Sequence, residues 1–179
     1  MTARHTGVTL IELLVALTMI SIVMMLGVPS FQQIMRANRM IAVNNSLTRS
    51  LYLSRSHAIK QNVRVTVCKS ANGSECTETG GWEQGWIAFT DLDNDAEYDG
   101  DGEDLVAVHD EPLSGLVIVG DSRVSNYVSY VPRGSTESVD GDIQGGEITI
   151  CSQTGVHLGR GLRIIPTGRL EVRDRVDCT

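Results

Sequence analysis

Gly7-Val8-Thr9-Leu10-Ile11-Glu12 introduces an apolar run that ends at Val28, and Glu12 is the one ionisable residue inside it. As a helix, residues 8–28 would be about 30 Å long at ~1.5 Å per residue, the thickness of a bilayer's hydrocarbon core. Arg4 and His5 precede the run and no comparable positive excess follows it, so the short N-terminus is expected to stay cytoplasmic while the rest is exported. An ordinary secretory signal would end in a small-x-small cleavage site. Here Val28-Pro29-Ser30-Phe31-Gln32-Gln33 leads instead into further helical pattern. Glu12 needs a reason. A carboxylate at mid-membrane costs about 2.5 to 3.5 kcal/mol on insertion scales and usually has a partner.

Gly followed by hydrophobic-Thr-Leu-Ile-Glu and a long apolar run resembles the N-terminus of type IV prepilins and type II secretion pseudopilins. The resemblance implies a leader, residues 1–7, cut after Gly7 by a prepilin peptidase, and a new N-terminus at Val8 that is N-methylated. It makes Glu12 the acid that pairs with the N-terminal amine of a neighbouring subunit as the filament grows. The family usually has Phe where this chain has Val8. The competing reading is a plain signal anchor, with Glu12 at the headgroup level, where a carboxylate suits a helix N-terminus.

Beyond Pro29, which can bend or loosen the helix, apolar or small residues recur at helical spacing: Ile34, Ala37, Met40, Ile41, Val43, Leu47, Leu51, Ser54 and Ala58. Arg36, Arg39, Asn44, Arg49 and Arg55 take other positions. Residues 29–60 are therefore predicted to continue the helix with a single apolar stripe. From there to residue 179 the pattern becomes short β-rich runs, at 63–68, 86–90, 105–109, 116–119, 127–132, 147–151, 161–165 and 168–172. Turn clusters such as Asn72-Gly73, Gly80-Gly81 and Asp99-Gly100-Asp101-Gly102 separate them. The expected fold class is α+β, a type IV pilin fold. Its long N-terminal helix crosses the membrane with its first half, and two small antiparallel sheets form the head, one of them on the helix stripe.

Hydrophobic residues make up 41% of the chain and aromatic ones 4%, so the core has to be largely aliphatic. The net charge of −7 argues against general affinity for nucleic acid. Cys68, Cys76, Cys151 and Cys178 show no metal-binding spacing, and an even count suits an exported, oxidised domain. Of the three possible pairings, Cys68–Cys76 around the loop 69–75 and Cys151–Cys178 tying down the tail are expected; the alternative is four buried thiols.

Gly81-Trp82-Glu83-Gln84-Gly85-Trp86-Ile87-Ala88-Phe89-Thr90-Asp91-Leu92-Asp93-Asn94-Asp95 and Asp101-Gly102-Glu103-Asp104-Leu105 resemble the GspH/FimT branch of minor pilins and pseudopilins, which includes FimU-like subunits. That likeness implies a low-abundance subunit that helps initiate or cap a type IV pilus, or the equivalent pseudopilin of a type II secretion system. Its partners would be other minor subunits, the major pilin and the inner membrane that holds it before assembly. The acidic residues of this stretch offer oxygens of the kind calcium prefers. An EF-hand template fails, because from Asp91 the turn-glycine position holds Ala96, and from Asp95 the terminal glutamate position holds Val106. The stretch reads as a solvated acidic loop, and no metal or cofactor is expected.

Some FimT-type pilins bind DNA through a C-terminal Gly-Arg-x-Arg element, for which Arg160, Arg163, Arg169 and Arg173 are the candidates. Gly168-Arg169-Leu170-Glu171 has Glu at the second arginine, and Gly159-Arg160-Gly161-Leu162-Arg163 is one residue too long. Alternating Arg169, Glu171 and Arg173 read more simply as the solvent face of an edge strand. His57, His109 and His157 stand apart from any nucleophile motif, so no catalytic set and no enzyme activity are expected.

Overall fold

The computed structural model describes residues 7, 9–153 and 158–178. They form one long helix, α1 (Leu10–Gln61), a 3-10 turn (Trp82–Gln84) and the strands β1 (Val65–Lys69), β2 (Trp86–Thr90), β3 (Leu105–His109), β4 (Leu116–Gly120), β5 (Tyr127–Tyr130), β6 (Gly146–Ser152), β7 (Leu158–Ile164) and β8 (Leu170–Asp177). The chain divides into two compact units, one ending at Arg39 and the other beginning at Met40.

In the first unit the apolar side chains face outward all round the helix: Leu10 is 80% exposed, Ile22 61% and Met25 80%. The helix is long and apolar enough to cross a membrane. It passes Pro29 without interruption, although a proline has no N–H to give the carbonyl one turn back.

The second unit contains the remainder of α1 and both sheets. Met40, Val43, Leu47, Leu51, Ser54 and Ala58 are all buried, at steps of three and four residues that fall on one face. Asn62, in the left-handed region at φ 54°, ends the helix, and the Val63 N–H reaches back to the Ala58 carbonyl at 3.3 Å. This is the Schellman closure, which satisfies a terminal carbonyl. It also explains why β1 starts at Val65 and not at Val63.

All strand pairs are antiparallel, in two sheets ordered β3-β2-β1-β5 and β4-β6-β7-β8. One apolar cluster joins the α1 stripe to Val65, Val67, Trp86, Ala88 and Val128 of the first sheet and to Ile118, Ile148, Ile150 and Leu162 of the second. Both sheets, rather than one, thus contribute to the core that the helix enters. Trp86 is fully buried, donates its indole N–H to Ser50 Oγ at 2.9 Å, and stacks on His109 with ring centroids 4.1 Å apart. The first sheet is covered on its other side too: Ile87, Phe89 and Cys68 point away from the main core and pack with Cys76, Tyr98 and Tyr127. β2 is therefore a continuous apolar run because both of its faces are buried.

Leu47 is fully buried within this cluster. Leu47→Ala is expected to lower the stability of the folded head by about 2–5 kcal/mol. Chemical denaturation checks this, and a loss under about 0.5 kcal/mol, typical of a surface site, would contradict the packing described.

Candidate functional site

At the start of α1, Thr9 and Glu12 bond reciprocally: the Thr9 N–H and hydroxyl lie 3.4 Å from Glu12 Oε2, and the Glu12 N–H lies 3.4 Å from Thr9 Oγ1. The Leu13 N–H donates to the Thr9 carbonyl at 3.2 Å. Thr-x-x-Glu at this position is a capping box, and the carboxylate also faces the positive end of the helix dipole. The Thr-x-x-Glu spacing is visible in the sequence, and the reciprocal bond to Thr9 adds a capping partner to the charge of Glu12. Gly7 is exposed, and a Cβ added to it would meet no described atom within 4 Å. Val8 lies outside the described residues.

In the head, Cys68 is bonded to Cys76 and Cys151 to Cys178. The second bond joins β6 to the residue after β8. Gly159 lies beneath it, where a Cβ would collide with the Ile150 carbonyl and both sulfurs. β7 and β8 pair from Ile164↔Leu170 to Leu158↔Asp177, five residues past the expected end of the last strand. A bulge interrupts the ladder: Gly159 faces Val176 and Arg160 faces Asp174, so Arg175, at φ 61°, is the extra residue.

The polar side of the first sheet leads to the acidic loop. Arg64 Nη1 donates to Ser129 Oγ at 2.9 Å, Ser129 and Thr66 are hydroxyl-bonded at 2.8 Å, and Thr66 donates to Asp91 Oδ2 at 2.6 Å. Thr66, Ser129 and Asp91 are buried, with Asp91 only 2% exposed. Burial pushes the Asp91 carboxyl up, against the Thr66 hydroxyl, the Asn94 N–H and the charge of Arg64, which all favour the ionised form. Across the loop Glu103 is buried and accepts the Leu92 N–H on Oε1 at 2.9 Å. Its carboxyl is also raised, first by burial and further by the charges of Asp91, Asp99 and Asp93. The loop therefore departs from the solvated expectation at its two ends, Asp91 and Glu103, while Asp93, Asp95, Glu97, Asp99 and Asp101 remain exposed. The sequence signal was adjacency: Asp91 directly continues a strand whose every residue is buried.

The candidate arginines lie on β7, β8 and the turn between them. Arg160 pairs with Asp174 at 2.9 Å, Arg173 with Glu147 at 3.3 Å, and Arg169 is 3.9 Å from Glu171. Arg163 stands in register between Glu147 and Glu171. The sheet brings each arginine to an acid and gathers no unopposed basic strip from these four. As for catalysis, His109 is taken up by its stack on Trp86, and His157 lies outside the described residues. Among the described residues neither His57 nor His109 is hydrogen-bonded to a hydroxyl or thiol that would form a nucleophile pair.

Comparison with known proteins follows the same division of the chain. The family described as type II transport protein GspH matches residues 44–168, and the prokaryotic N-terminal methylation motif matches residues 2–28. Among proteins of curated function none matches the sequence. The fold is similar to two crystal forms of the type IV minor pilin FimU from Pseudomonas aeruginosa PAO1, with TM-scores of 0.60 and 0.55 and 18% identity in both. The alignments cover 79% and 75% of this chain and 96% of each FimU chain.

Phosphate binding needs cations that are free to replace counterions. The chain is therefore expected not to retard duplex DNA in a gel-shift at physiological salt. A shift abolished by Arg160→Ala with Arg163→Ala and Arg173→Ala would reverse this reading.

Proposed function

Because this chain belongs to the type II transport protein GspH family, we propose that it is a minor subunit of a type IV pilus that helps initiate or cap the filament. In this reading residues 1–7 are a leader removed by prepilin peptidase, Val8 becomes the methylated N-terminus, and residues 8–28 hold the subunit in the inner membrane. The head, residues 61–179, stands in the periplasm on the amphipathic continuation of the helix, residues 29–60. The single observation that carries the proposal is the coincidence of the methylation-motif match with an apolar, outward-facing helix whose first turn holds Glu12.

The physical logic is that lipid tails are as apolar as leucine, so moving the helix from bilayer to filament gains little from the hydrophobic effect. Direction has to come from elsewhere. Among the described residues Glu12 is held only by long contacts to Thr9, and in lipid its charge is poorly compensated. A methylated amine presented by a neighbouring subunit forms a charge-assisted hydrogen bond with it and relieves that cost at assembly. Gly7 supports the processing step, since the described fold leaves open space around it and gives no internal reason for a glycine there. The partners in this scheme are the major pilin and other minor pilins, which the head contacts.

A second reading, the equivalent pseudopilin of a type II secretion system, is favoured by the family's own description. Both use the same helix and the same insertion chemistry. Deleting the gene separates them: loss of surface pili with secretion intact supports the pilus, and the converse supports the secretion system.

Gly7→Phe is expected to leave an unprocessed, membrane-held precursor, whereas mature-size protein in that variant would refute the cleavage site. Intact-mass spectrometry of the native chain reads the cut and the methyl group together. Glu12→Gln should insert normally yet enter filaments about tenfold less, the consequence of losing ~1.4 kcal/mol or more of charged hydrogen bonding. Undiminished incorporation, measured by immunoblot of sheared filaments, would remove the pairing role.

A further inference from the structure

We propose that the loop between β2 and β3 is a calcium site, with Asp91, Asp93 and Asp95 as its carboxylate ligands. Oxygens from Asp91, Asp93 and Asp95 all lie within 4.8 Å of one another. Two ligands about 2.4 Å from one calcium ion can be no more than about twice that distance apart, so a single ion can reach all three. Two exposed acids could be brought this close to a third by chance, but here the third, Asp91, is buried, and Glu103 is buried beside the same loop.

Asp91 and Glu103 are 2% and 7% exposed, and each keeps one carboxylate oxygen, Oδ1 and Oε2, that among the described residues has no hydrogen bond of ordinary geometry. Their other oxygens are fixed. Thr66 holds Asp91 Oδ2 and the Leu92 N–H holds Glu103 Oε1, so Glu103 is clamped to the peptide between Asp91 and Asp93. Buried carboxylate oxygens are normally paired or bound to metal, and removing both options is expensive. The hydrogen bonds of Arg64 go to Ser129 Oγ and the Glu137 carbonyl. A hard divalent cation fills the deficit with the oxygen ligands it prefers.

The backbone agrees. Counting Asp91 as the first ligand, Asp93 and Asp95 fall at the third and fifth positions, as in EF-hand loops, and the sixth requires a sharp turn that is normally glycine. Ala96 stands there and adopts φ 62°, the left-handed conformation glycine would supply. The sequence mismatch at Ala96 therefore does not prevent the turn. This inference does not depend on which filament the subunit enters.

The test uses the full-length chain in detergent, stripped with EDTA and titrated with calcium chloride by calorimetry and thermal unfolding. The expected result is saturable binding of one ion per chain with Kd between about 10⁻⁵ and 10⁻³ M. At a hundredfold excess over Kd the unfolding midpoint should rise by about 5 °C. Asp93→Asn with Asp95→Asn, both on exposed side chains, should fold and weaken binding at least tenfold. Glu97→Gln, in the same loop but outside the ligand set, should bind as the parent does. The proposal fails if about 10 mM calcium gives neither heat nor a shift. It fails equally if the double variant binds unchanged, or if magnesium at the same concentration produces the same shift.

Discussion

Burial of one stripe of α1, from Met40 to Ala58, against side chains of both sheets is the constraint on which the head depends. Neither four-stranded sheet has another apolar partner of that length among the described residues, and a sheet must bury one face to persist. The stripe supplies that partner, with Trp86 fixed by its bond to Ser50 of the helix. It leaves the opposite side of the first sheet to be covered by loops. That is why the Cys68–Cys76 loop and the acidic loop, with Tyr98, pack onto Ile87 and Phe89. The two polar features of greatest chemical interest, the Arg64-to-Asp91 hydrogen-bond chain and the buried ends of the acidic loop, lie on this second side.

The helix and the strand count were legible because they are written in periodicity. Leu47, Leu51 and Ala58 fall on one helical face at steps of three and four, and β1 to β8 follow runs broken by glycine and asparagine turns. The expected end of the helix, near Lys60, is one residue from the observed Gln61. Boundaries drifted where tertiary links overrode local pattern. β8 runs on to Asp177 through residues as polar as Arg173, Asp174 and Arg175, because pairing with β7 and the bond from Cys178 hold it there. β5 stops at Tyr130 rather than Pro132, where the chain turns back at Gly134 and the Gly134 N–H bonds to the Val131 carbonyl.

The candidate sites were less legible, for a different reason. Charge can be read from a sequence, but not whether that charge is buried or already answered. Arg160 and Arg173 looked like a basic tail and lie against Asp174 and Glu147, one across a strand pair and the other across two. Asp91 and Glu103 looked like members of a wet acidic loop and are enclosed. Glu12 looked like a lone charge and also closes a helix cap with Thr9. In each case the deciding fact is a partner, or the lack of one, contributed by a residue that linear spacing does not point to.

The bond between Cys151 and Cys178 has a mechanical consequence. β8 is the outermost strand of its sheet, and pulling on the last residues of such a strand would ordinarily unzip it rung by rung. Here tension on the C-terminus is carried covalently to β6, an inner strand flanked on both sides, so peeling cannot begin at the tip. A subunit built this way resists traction at its tail with the strength of an interior strand.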